Sequence, residues 1–159
     1  MTYENRIYHG RRVPRPDQPA WRYCRIFVEK PEHGPTQRES VTVLREMTVT
    51  YDAINGVDYS NFEWGYDGGG PYRTAAALLA DALDLGTPED AGMAWWDGDL
   101  DEGMKQLCIA FRADVVVQLC DEWRLSAETV RRWARDWHLQ GHVADMPGDL
   151  RRRTPLRSV

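Results

Sequence analysis

The run Phe62-Glu63-Trp64-Gly65-Tyr66-Asp67-Gly68-Gly69-Gly70-Pro71, leading into an alanine- and leucine-rich stretch, has the residue types that could receive an anion. Gly68, Gly69 and Gly70 can take positive φ and leave backbone N–H groups uncovered by side chains. Pro71 fits a first helical turn, and the positive end of a helix over Ala76–Leu83 would face the glycines, a setting that attracts a phosphate-bearing small ligand. No Lys follows them as a P-loop requires, and Asp67 opposes an anion unless it caps the helix. A strand-to-helix corner accounts for the same residues and is the simpler expectation.

A second constellation is acidic and aromatic. From Asp81 to Glu102 there is no Lys or Arg, while Glu89, Asp90, Asp97, Asp99, Asp101 and Glu102 gather around Trp95 and Trp96. Asp97-x-Asp99-x-Asp101 has the spacing that opens a calcium loop, but Glu102 stands where glycine is needed and Cys108 where a bidentate Glu should close the site. Adjacent indoles point in different directions on a helix or strand, so one of the two is expected at the surface. An exposed Trp framed by carboxylates suits a basic protein partner. The bland alternative is a solvated loop with both indoles in the core.

The third constellation lies near the C-terminus. Val116 to Trp133 can be laid on a helix-turn-helix with Leu125-Ser126 at the turn. On its second helix Val130, Trp133 and Trp137 would pack inward while Arg131, Arg132 and Arg135 face DNA. Trp123 and Arg124 occupy places where that turn wants small residues, and Asp121, Glu122, Glu128 and Asp136 dilute the charge. His9 and His33 read as loop residues without carboxylate or Cys partners, and His138 with His142 lacks the Glu of a zinc-protease helix. Ser40, Ser60 and Ser126 lack a nucleophile elbow, and no cysteine is paired in sequence with a histidine. No catalytic residue, metal site or cofactor is therefore expected.

The elements that must position these residues change character along the chain. Trp21 to Glu29 alternates, with Cys24, Ile26 and Val28 on one side; Val41 to Tyr51 places Val41, Val43, Met47, Val49 and Tyr51 in phase. Pro31 to Pro35 is turn material between them, which predicts an antiparallel hairpin. Ile7 and Tyr8 supply a short extra strand before a proline-broken loop over Arg11–Pro19. Strand alternation puts Trp64 and Tyr66 on the side of Phe62, so both rings are expected to be buried. Beyond the glycines the period becomes helical: Ala75, Leu78, Leu79, Ala82 and Leu83, ended by Gly86, and then Leu100, Met104, Leu107, Cys108, Phe111, Val115 and Leu119. A last helix starts at Ser126. Strands first and helices after predict an α+β fold, a small antiparallel sheet of N-terminal strands covered by three helices on one face. Residues 1–142 form the domain and 143–159, with Arg151-Arg152-Arg153, a flexible basic tail.

At 159 residues the chain holds one domain, and 42% hydrophobic with 28% charged residues argues against disorder. A net charge of −5 argues against a generic polyanion binder. No apolar run reaches the roughly 20 residues of a membrane span, and Met1–Arg12 has no signal-peptide core. Cys24, Cys108 and Cys120, odd in number and scattered, suit a reducing cytoplasm.

The Tyr8-x-Gly10 start, the Phe62-Glu63-Trp64-Gly65-Tyr66 turn with Gly68, Gly70 and Pro71, the helix centred on Phe111 and the closing Trp123-x-Leu125-Ser126…Val130-x-x-Trp133 carry a resemblance. The chain resembles a bacterial and phage family of proteins known as a domain of unknown function. Asp67, Gly69, the acidic stretch and the basic tail depart from that pattern. The resemblance implies an α+β domain common on mobile elements and supplies no catalytic residues. The expectation is a cytoplasmic, non-enzymatic regulatory protein of counter-defence type that engages a host protein through Trp95, Trp96, Asp97, Asp99 and Asp101. DNA binding by Arg131, Arg132 and Arg135, or ligand binding at Gly68, Gly69 and Gly70, are the alternatives, and no membrane partner is expected.

Overall fold

A computed structural model describes residues 6–14, 22–32, 40–48, 62–95 and 100–141. Strands β1 (Ile7–Pro14), β2 (Arg22–Glu32) and β3 (Ser40–Glu46) are followed by helices α1 (Gly69–Ala82) and α2 (Glu102–Asp114). A short 3-10 turn (Val116–Gln118), strand β4 (Glu122–Ser126) and helix α3 (Ala127–Gly141) complete the order. The sheet runs β3-β2-β1-β4 with every neighbouring pair antiparallel. The fold is α+β.

Cross-strand partners share a face, and the register therefore sorts the side chains. Tyr8, Cys24, Ile26, Val28 and Trp123 face the helices and join the core with Phe62, Trp64, Leu78, Leu79, Leu107, Phe111 and Val130. Helix α1 is the centre of that core: nearly every residue from Gly70 to Ala82 is buried. Its C-terminal end is tied to the sheet at Asp81, which accepts from Tyr8 Oη at 2.5 Å and pairs with Arg6 at 3.2 Å and with Arg45. Burial first, and then Asp81, push the Tyr8 hydroxyl pKa well above its ordinary value.

Several local expectations need correction. β1 is a full central strand rather than a two-residue piece, and its only proline, Pro14, closes it where a lost N–H costs least. Pro31 belongs to β2 and pairs with Val41, one residue before that strand ends at Glu32. His33 to Pro35, Val49 and Tyr51 lie outside the described residues. Val41 and Val43 do not share a face with Met47. Val28 pairs with Arg45 and Glu29 with Val43, a bulge at Leu44 that turns both valines away from the helices while Met47 is buried.

The expected burial of Tyr66 fails as well. Trp64 is fully buried, but Gly65 takes φ +85, a left-handed value that breaks the alternation and leaves Tyr66 47% exposed. Helix α1 ends at Ala82 with Leu83 as its cap, and the left-handed residue that closes it is Asp84, not Gly86. Asp84 adopts φ 57, its N–H donates to Asp81 O at 3.1 Å, and Leu85 N–H donates to Ala80 O at 2.8 Å, the paired bonds of a Schellman ending. The second helical pattern stops at Asp114 and continues to Leu119 only as the tighter 3-10 turn. Ser126 does cap α3, accepting from Thr129 N–H at 3.0 Å.

Candidate functional site

The acidic aromatic loop is built on a rigid base. Ala91 N–H donates to Thr87 O at 2.9 Å and Met93 N–H to Pro88 O at 3.0 Å, which winds residues 87–93 into consecutive turns. Tyr72 Oη, from α1, donates to Met93 O at 2.6 Å, and Asp101 N–H donates to Gly92 O at 2.8 Å. Met93 and Ala94 are buried by these contacts. The next residue, Trp95, is 50% exposed. An indole carried on a buried neighbour projects from the surface without needing to be ordered on binding. Trp96, Asp97 and Asp99 lie outside the described residues.

The carboxylates of the loop divide into two kinds. Asp101 caps α2, accepting from Met104 N–H at 3.0 Å. Asp90 and Thr87 exchange backbone-to-side-chain bonds of 3.1 Å each, and those donors, the backbone one foremost, hold the Asp90 carboxyl below the usual carboxylate range. Asp81 is offset by Arg6 and Arg45 from outside the segment. These three carboxylates therefore take part in holding the fold. Among the described residues, no group of three or more His, Cys, Asp or Glu is arranged to hold a metal ion.

The glycine turn is a packed corner. Gly68 precedes α1 with extended backbone and no side-chain cap. Arg112 on α2 holds the turn from outside, pairing with Asp67 at 2.8 Å, donating to Gly68 O at 3.2 Å and lying 5.9 Å over the Tyr72 ring. Gly70 is buried beneath Glu63, and a Cβ there would lie 2.8 Å from Glu63 Cδ. Thr74 locks the same corner with its hydroxyl, donating to Glu63 O at 2.7 Å. At Gly69 a Cβ would meet no atom nearer than Arg73 at 4.0 Å.

The segment laid out as a helix-turn-helix is not one. Its first helix ends at Asp114, and Glu122–Ser126, expected as helix end and turn, is strand β4, hydrogen-bonded to β1 from Ile7 to Arg11. Trp123 alternates with Glu122 and Arg124 and needs the sheet to bury it. Val130 is buried, and Trp133 packs edge-on against Phe111 at 5.0 Å, as the inward stripe predicts. Arg131 is half-buried; Arg132 and Arg135 are exposed, the first paired with Glu128 at 2.7 Å and the second 3.9 Å from Asp136.

Sequence reasoning missed one cluster entirely. His9 is not a loop residue but the third residue of β1, on the face away from the helices. Its Nδ1 lies 2.7 Å from Glu29 on β2 and its Nε2 2.6 Å from Glu122 on β4, with Arg124 directly across the ladder. The His9 bond, the largest cause, and nearby Arg11 and Arg124 hold the Glu122 carboxyl below its ordinary range. These partners are 20 and 113 residues from His9, so only the strand register could have joined them. No family model matches this chain, and no curated protein or solved structure matches it.

Proposed function

We propose that this protein is a non-enzymatic binding protein, of the accessory kind carried by phages and other mobile elements, that engages a basic surface of a host protein. The contact is Trp95 with the carboxylates around it. One observation carries the reading: Trp95 is half exposed although the two residues before it are buried. A half-exposed indole on a hydrogen-bonded backbone has the character of an interface anchor, and a segment free of Lys and Arg from Asp81 to Glu102 selects a cationic partner. Three free cysteines support action in a reducing cytoplasm. Among the described residues no helix is long and apolar enough to cross a membrane.

DNA binding through α3 is the weaker proposal, because Arg132 and Arg135 each lie close to a carboxylate of the same helix. The test is affinity capture from host lysate with wild-type protein and with Trp95→Ala combined with Asp97→Asn and Asp99→Asn. The reading requires a host protein captured by the first and lost by the second, with salt weakening the wild-type complex. Capture at wild-type strength by the triple variant overturns it. Retardation of duplex DNA that Arg131→Ala with Arg132→Ala abolishes would favour α3 instead.

A further inference from the structure

The sheet face turned away from the helices carries a constellation that the contact reading does not use. Glu29 is its pivot. The side chain is only 7% exposed, with Oε2 2.7 Å from His9 Nδ1 and Oε1 accepting from Arg124 Nε at 3.3 Å. A carboxyl group this buried needs hydrogen-bond donors around it, and each of its oxygens keeps a second lone pair. The Arg124 side chain is 52% exposed. Its fork has five N–H groups, and Glu29 is its one carboxylate within salt-bridge distance among the described residues.

Beside this pair the face is hollowed into a groove of about 250 Å³, lined among the described residues by Ile7, Glu29, Pro31, Val41 and Arg124. Among the described residues one wall offers a carboxylate and a guanidinium, and Ile7, Pro31 and Val41 are aliphatic. At about 30 Å³ per water the space equals roughly eight waters, which is close to the nine non-hydrogen atoms of leucine. An aliphatic acid placed here would meet Glu29 with like charge, and an aliphatic amine would meet Arg124 in the same way. A neutral hydrocarbon would strip water from both ions and return nothing. A ligand bearing both charges on one carbon satisfies each wall.

We propose that this groove binds a small aliphatic zwitterion, a free α-amino acid with a branched side chain. Its ammonium donates to Glu29, its carboxylate takes the outer nitrogens of Arg124, and its side chain lies on Ile7, Pro31 and Val41. The shallow, half-open geometry sets the affinity near the millimolar range. His9 and Glu122 are positioning residues here, holding Glu29 and the β4 edge in place.

The experiment is a titration of the full ¹⁵N-labelled chain with L-leucine, followed by amide shifts. Parallel titrations use 4-methylpentanoate, which lacks the ammonium, and 3-methylbutylamine, which lacks the carboxylate. The proposal expects saturable shifts at Ile7, Glu29, Val41 and Arg124 with leucine and binding at least about tenfold weaker for both analogues. Arg124→Gln should lower leucine affinity by at least about tenfold. Val41→Asp, a change at an exposed position, should weaken it as well by setting a carboxylate against the aliphatic side chain of the ligand. The proposal is overturned by an absence of saturable shifts at about 20 mM leucine, by equal binding of all three compounds, or by wild-type affinity in a folded Arg124→Gln or Val41→Asp protein.

Discussion

Replacing Trp64 by alanine strikes the point where turn, sheet and the segment before β4 meet. The indole is fully buried, its Nε1 donates to Cys120 O at 2.7 Å, and it packs edge-on against Trp123 with centroids 5.2 Å apart. The Arg12 guanidinium lies 5.6 Å from the centre of the same ring. Truncating a core Trp costs about 3–5 kcal/mol, and leaving a carbonyl without its donor adds about 1 kcal/mol. A loss of about 4–6 kcal/mol takes a large part of the 5–15 kcal/mol typical of a domain and lowers Tm by roughly 10–20 °C. Urea unfolding followed by far-UV circular dichroism reads the loss without relying on the deleted fluorophore. Trp64→Phe keeps the ring body, gives up the N–H and should cost about half as much. Tyr66→Ala, two residues on but exposed, should cost under about 1 kcal/mol. A Trp64→Ala protein within about 1 kcal/mol of wild type, or a Tyr66→Ala protein equally damaged, would refute the assignment of this corner to the core.

Gly70→Ala should destabilise by about 2 kcal/mol or more, because its Cβ meets Glu63, whereas Gly69→Ala should be close to neutral; equal effects in a chemical denaturation series would count against the packed corner. The folded Glu122 carboxyl titrates below its ordinary value, so its contribution is present above that ordinary value and is lost as pH falls through the lower folded one. Glu122→Gln should accordingly flatten the fall in urea midpoint below about pH 4.5, and an unchanged slope would contradict the His9 bond. Burial pushes the Cys108 thiol up to about 12 and raises that of Cys24, while Cys120 is exposed. A thiol reagent should therefore label Cys120 rapidly and the other two only on unfolding, with labelling counted by mass spectrometry. Asp101→Ala should cost about 1 kcal/mol through loss of the α2 cap, read as a lower Tm.

The sequence carried whatever repeats along the chain. Cys24, Ile26 and Val28 alternate and are the inner face of β2; Val130 and Trp133 recur at helical spacing and lie on the inner stripe of α3. The α+β class followed from that change of period. What failed were single residues that reset a phase: Gly65, whose positive φ turns Tyr66 out, and Leu44, whose bulge turns Val41 and Val43 out. β4 was hidden because five residues of alternation between two helices resemble a helix end. The His9 cluster was illegible for a different reason: its carboxylates arrive from two other strands, and pairing across long sequence separation leaves no local trace. Trp95 was half legible. Adjacent indoles implied that one would be exposed, but the hydrogen bonds from Tyr72 and Asp101 that fix the loop come from elsewhere in the fold.

Covalent capture tests most directly whether Trp95 makes the proposed partner contact. A photo-reactive phenylalanine analogue placed at position 95, and in a second protein at position 132 on the exposed side of α3, tests it in host extract. The account predicts a discrete covalent adduct with a host protein from position 95 that fades as salt rises, and none from position 132. An adduct from position 132 with none from position 95 would contradict it.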